Sequence, residues 1–114
     1  MKRISFCGES FLTTDGAADA LLKLVIALPN GHDSELLELP AVNNDGDEMV
    51  VQMVVGPGSE LISVPEEFTS GEPDTLEAVA YLHRRMQTLR TSSELTFSET
   101  LSFMEYEWDT EYLL

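Results

Sequence analysis

Apolar and polar positions alternate in short stretches at both ends of the first half of the chain, and recur at helical spacing in two longer ones. Ile4 and Phe6 alternate with Ser5 and Cys7, and Phe11 follows a turn, so residues 3–13 predict a β-hairpin. Gly8-Glu9 supplies a two-residue loop with glycine where a positive φ is needed, and this register sets Phe6 opposite Phe11. Cys7 then falls among strand residues and reads as a small buried hydrophobe.

A helix is predicted from Asp15 to Leu28. Thr14 or Asp15 caps it, Asp15 and Asp19 suit its positive end, and Pro29-Asn30-Gly31 stops it. Asp15, Asp19 and Lys23 form one narrow polar stripe, with an Asp19–Lys23 pair. The rest of the circumference is apolar: Ala17, Ala18, Ala20 to Leu22 and Leu24 to Leu28. A sheet must cover one side of such a helix and a further element another.

Three strands are expected next: Ser34 to Val42, Met49 to Val55 and Glu60 to Val64. Asn43-Asn44-Asp45-Gly46 and Gly56-Pro57-Gly58-Ser59 turn between them. The β-branched run Met49 to Val55 reads as a central strand buried on both faces. After a polar connector, Glu66 to Pro73, a second helix is predicted from Asp74 to about Arg90, with Asp74 and Glu77 as a capping pair. Its apolar stripe is read as Leu76, Val79, Ala80, His83, Met86 and Leu89 or Arg90, which makes His83 a packed histidine. Arg84, Arg85 and Arg90 sit where the helix dipole favours cations.

The order hairpin, helix, three strands, helix predicts an α+β fold: an antiparallel sheet of about five strands with two main helices packed on it. The chain is read as a single domain, 1–114, in which 91–114 is an acidic aromatic C-terminal extension. From Glu94 onward it has six acids, no base, and five of the chain's nine aromatic residues. Phe97, Leu101, Met104, Trp108 and Tyr112 recur at helical spacing. Met104, Tyr106 and Trp108 alternate with Glu105, Glu107 and Asp109 as a strand would, so this extension reads both ways.

Thr14 to Leu22, the Asp45-Gly46 turn, Gly56-Pro57-Gly58-Ser59-Glu60-Leu61, and Val79-Ala80-Tyr81-Leu82-His83-Arg84-Arg85 together carry a resemblance. Over roughly Gly8 to Arg90 the chain resembles a group of small acidic proteins of unknown function encoded by actinobacteria. The resemblance implies the α+β fold and brings no activity with it.

Composition narrows the function. Twenty-one acidic and six basic side chains among 114 residues give a net charge of −15, while 43 % of residues are apolar. Direct binding of nucleic-acid phosphates is not expected, because six bases build no large positive patch. Anionic membrane surfaces are disfavoured for the same reason. The longest apolar stretch, Leu24 to Leu28, is too short to span a bilayer. Glu9, Asp15 and Asp19 follow the basic start too closely for a signal peptide, and a lone thiol suits a reducing compartment, so a cytoplasmic location is expected.

No catalytic residue, cofactor or metal is expected. His32 lies beside Asp33 and Glu35 and reads as an exposed loop histidine in preference to a weak metal site. Cys7 has no base beside it in sequence. Residues 43–48 echo a calcium loop, but with Gly46 at the sixth place the end ligands would be Ala41 and Gln52. Gly56-Pro57-Gly58-Ser59 lacks the lysine of a phosphate loop.

Two functions of different class remain. The first is a non-catalytic acidic protein acting through protein–protein contact, in the manner of an inhibitor or immunity protein of a basic partner, or of a nucleic-acid mimic. Its expected contact residues are Phe103, Tyr106, Trp108 and Tyr112, with Glu105 and Glu107 as an acidic rim. A homodimer through the first helix or the aromatic extension is also expected. The alternative is a small enzyme or small-ligand domain with its site in a sheet–helix crevice.

Overall fold

A computed structural model describes residues 1–90. The aromatic extension, with the contact residues Phe103, Glu105, Tyr106, Glu107, Trp108 and Tyr112, lies outside the described residues. The elements are β1 (Lys2–Phe6), β2 (Glu9–Thr13), α1 (Asp15–Ala27), β3 (Glu35–Val42), β4 (Glu48–Val55) and β5 (Ile62–Pro65). A second helix, α2, covers 76–90. The strands form one five-stranded antiparallel sheet in the order β4-β3-β2-β1-β5, which is the α+β arrangement expected.

The first hairpin turns one position earlier than its glycine suggested. Cys7 (φ +53°) and Gly8 (φ +82°) are the two loop residues, both left-handed, as a type I′ turn requires. Phe6 therefore pairs with Glu9, and Phe11 with Ile4. Cys7 is exposed at the tip and is not a buried hydrophobe. The second hairpin loop is ordered by Asn43, whose side-chain oxygen accepts from the Asp45 and Asp47 amides at 2.9 and 3.0 Å.

α1 lies on the sheet face that carries Ile4, Phe11, Leu37, Leu39, Ala41, Met53 and Val55. It buries Ala17, Ala18, Ala20, Leu21, Leu24 and Val25 there, and each fully buried leucine contributes about 1.5–3 kcal/mol. Thr14 caps it, its hydroxyl accepting from the Ala17 amide at 3.2 Å. Asp19 bonds to Lys2 of β1 at 2.7 Å in place of the expected Lys23. α2 covers a further side: a Cβ built at Gly16 would touch Val79 at 4.0 Å. The cap hydroxyls Thr14 and Thr75 also meet, at 2.7 Å, so the two helices begin side by side. Ile26 is the one large apolar side chain that α1 leaves exposed, at 83 %, so a contact between copies through α1 would rest on that residue.

α2 presents a different stripe from the one its sequence suggested. Thr75, Leu82 and Leu89 are buried and Val79 and Met86 partly so, whereas Leu76, Ala80 and His83 face solvent. The buried set steps by four, three, four and three residues; it keeps Val79, Met86 and Leu89 of the expected stripe and puts Thr75 and Leu82 where Leu76, Ala80 and His83 were expected.

β4 is an edge strand, half exposed, and not a central one. A run of valines and methionines is compatible with either position. The strand order decides, because β5 crosses to the far side of the sheet and pairs with β1.

Candidate functional site

The site is built on the longer of the two hairpins. β2 meets β3 only near its end, with Leu12 opposite Val42. Thr13 closes the seam, donating its hydroxyl to the Pro40 carbonyl at 2.9 Å. Among the described residues, β3 upstream of that seam pairs with a strand, β4, on one side only, and α2 meets this length of β3 through Arg85 and Glu35.

A cluster of charge fastens α2 to this length of β3. Glu35 is 8 % exposed, and three donors converge on its Oε1: Arg85 Nη2 at 2.6 Å, Arg85 Nε at 2.9 Å and His32 Nε2 at 2.9 Å. The Arg85 guanidinium holds the Glu35 carboxyl below its ordinary range, against the opposing effect of burial. His32 is thus half-buried and bonded to a carboxylate, not a free loop histidine. Among the described residues no group of three His, Cys, Asp or Glu is placed to hold a metal. The cluster is a clasp between elements.

The opposite face of the same strands carries the groove. Side chains alternate along β3, so Leu36, Glu38 and Pro40 point away from the core that Leu37, Leu39 and Ala41 face. Across the hairpin they pair with Val54, Gln52 and Val50. The result is an apolar rung, a polar rung and a second apolar rung. In the polar rung Gln52 donates to Glu38 at 3.2 Å. Leu36, Val50 and Val54 are each about 60 % exposed, an open apolar patch on this face.

α2 walls this surface on one side. Ala78 and Tyr81 line it together with Leu36 and Glu38, with Asp74 and Glu77 at the helix start, and the space between is about 490 Å³. Asp74 accepts from the Leu76 amide at 3.1 Å, and both acids sit where the helix dipole favours negative charge. The groove thus has a floor of Leu36, Pro40 and Val50 with Glu38 among them, and Asp74 and Glu77 on its α2 side. Among the described residues its walls carry no imidazole, thiol, amine or guanidinium. Such a lining sets apolar surface beside negative charge, with its polar groups supplied by Glu38, Asp74, Glu77 and Tyr81.

A second cleft, about 650 Å³ and more open, lies between β5 and the start of α1. Several of its charges are engaged within the chain: Glu66 accepts from Arg3 Nε and Nη2 at 2.8 and 2.7 Å, and Lys2 donates to Asp19. Arg3 also reaches Asn44 at 2.9 Å, tying the end of β5 to the second hairpin.

None of the groove residues was expected as a contact residue. The signal for them is the β3 segment itself, where Leu36 and Pro40 occupy the register opposite to the buried Leu37 and Leu39. A strand that is apolar on both faces needs a second cover. The chain matches no protein-family model, no curated protein and no solved structure.

Proposed function

We propose that this chain is a non-catalytic acidic binding protein that engages a basic protein partner through the groove between α2 and the outer face of β3 and β4. The observation that supports this is the lining: a largely apolar floor with three carboxylates and, among the described residues, no lysine, arginine or histidine. Apolar contact supplies affinity, and the carboxylates, in a chain of net charge −15, speed capture of a basic partner and reject acidic ones. Where the basic partner is an enzyme, the chain acts as its inhibitor. The homodimer expected from sequence stays a separate proposal, checked by light scattering.

The test is affinity capture from a lysate of the source organism, with the wild type beside Leu36→Lys/Val50→Lys. A photo-crosslinking side chain placed at Tyr81 identifies what touches the groove. A basic protein recovered by the wild type, lost by the double variant and crosslinked at position 81 supports the reading. A capture profile that the double variant leaves unchanged sinks it.

A second reading rests on one observation: the groove's volume, about 490 Å³, lies in the range of small-ligand sites. The same lining would then select a cationic amphiphile, and no partner protein would crosslink at Tyr81.

A further inference from the structure

The spacing of the rungs says what form the basic partner takes. This inference rests on the groove reading above and concerns the shape and sequence of the occupant. Leu36 with Val54 and Pro40 with Val50 are the two apolar rungs, and Glu38 with Gln52 lies midway between them. Leu36 and Pro40 are four residues apart on one strand, so the rungs are about 13 Å apart. The Glu38 carboxylate sits about 6–7 Å from each.

We infer that the groove takes a basic amphipathic helix of a partner protein, laid along β3 and β4. Its apolar side chains, at i and at i+7 or i+8, rest on the two apolar rungs. Its arginine or lysine, at i+3 or i+4, meets Glu38. The axial rise fits: seven or eight residues of helix cover about 10.5–12 Å, and the intervening base falls about 5–6 Å along. Charge fits as well. The carboxylates of Glu38, Asp74 and Glu77 line one wall and the middle of the floor, and a helix with bases on the flank toward α2 meets all three.

An extended segment fits less well. The floor is a strand face, where backbone donors and acceptors are used within the sheet plane, so an extended chain lying on it would leave its own amides unpaired. A helix satisfies its amides internally and covers an open sheet face as helices commonly do. An extended chain would instead add to the outer edge of β4, the end of the sheet among the described residues, away from Glu38 and from the α2 wall.

The test needs no knowledge of the natural partner. Three fluorescent alanine-based peptides of about 18 residues, long enough to populate helix, are titrated against the full chain by anisotropy. One carries leucines at i, i+7 and i+8 and arginines at i+3 and i+4. The second has the same composition with leucines and arginines scattered around the helix. The third has glutamates for the arginines. The patterned peptide is expected to bind the wild type about tenfold tighter than its isomer, and the acidic peptide not measurably. Glu38→Gln should weaken the patterned peptide several-fold, Leu36→Lys/Val50→Lys should abolish the preference over the isomer, and Glu9→Gln, an exposed residue beside the tip of the first hairpin, should change nothing. Circular dichroism melts confirm that each variant folds, and the comparison of peptides on wild type needs no variant at all. Equal affinity for patterned and scattered peptides, or no saturable binding of the patterned one, overturns the helix assignment. The broader reading of a basic partner fails separately, when capture and crosslinking at Tyr81 find none.

Discussion

Replacing Arg85 by Met isolates the clasp that holds α2 against β3. Glu35 is almost fully buried, while the Arg85 side chain is 32 % exposed, so the substitution strips two of three donors from a carboxylate that water barely reaches. Breaking a fully buried pair costs about 3–5 kcal/mol, and a surface pair about 0–1. The partly exposed guanidinium and the surviving His32 bond place this one between, at about 1–3 kcal/mol. For a domain of this size that is a fall in melting temperature of about 4–12 °C. Arg85→Lys keeps the charge but loses the forked pair of donors and should fall between the two.

The pH dependence gives the sharper check. The folded-state pKa of Glu35 is lowered from its ordinary 4.5, first by the hydrogen bond from Arg85. A depressed carboxyl contributes stability that is complete above its unfolded pKa and is lost as pH falls through its folded pKa. The gap in melting temperature between wild type and Arg85→Met is therefore expected to be constant from about pH 6 to 8 and to shrink below about pH 4.5. Taking the difference cancels the general repulsion among the other acids. Melting by circular dichroism across that range is sufficient. A variant that melts within about 1 °C of wild type at pH 7, or a gap that persists undiminished at about pH 3, would refute the clasp.

Three further outcomes are expected. Cys7→Asn places Asn-Gly at a turn whose first residue has φ +53°, and should raise the urea midpoint by the equivalent of about 0.5 kcal/mol; a loss of stability would deny the type I′ geometry. Leu24→Ala empties a position with no solvent exposure and should cost about 2–5 kcal/mol in urea unfolding, whereas Ile26→Ala, one turn-face away and exposed, should cost far less. Raising sodium chloride from low to moderate concentration should raise the melting temperature by screening the excess of acids; a fall, or no change, would count against self-repulsion as a burden on the fold.

Element types and order were legible because each segment carries its own punctuation. Thr14 and Pro29 bracket α1, Asn43 and Gly46 mark one hairpin, and Pro57-Gly58 ends β4. What the sequence left open is which neighbour each element meets. The valine-rich run of β4 suits a central strand as well as an edge, and only the crossing of β5 to β1 makes it an edge. In α2, Leu76 and Thr75 compete to begin the stripe. Leucine is the more apolar, yet the heptad of Thr75, Val79, Leu82, Met86 and Leu89 is the more regular, and packing follows regularity. The first hairpin slipped for a similarly local reason: a glycine serves either loop position, and a cysteine with positive φ is rare enough to be passed over. The groove was least legible of all. It depends on β3 outrunning β2, on α2 taking the vacated flank, and on which register of Leu36 and Leu37 faces inward. Those are facts of assembly that no single segment encodes.

The placement of β1 between β2 and β5 has a consequence for the order in which the fold is made. β1 and β2 close on each other as soon as Thr13 is available, but the other flank of β1 waits for Ile62 to Pro65. At about 5–20 residues per second, the ribosome needs several seconds to supply that stretch. For this interval the newborn hairpin offers an open row of amides and carbonyls to any other nascent strand. Lys2 and Arg3 lie on that row, two of only six bases in the chain. Charged side chains on a waiting edge keep it from pairing wrongly. When β5 arrives with Glu66 behind it, Arg3 closes on that carboxylate at 2.7 Å, and the residue that guarded the seam becomes the one that locks it.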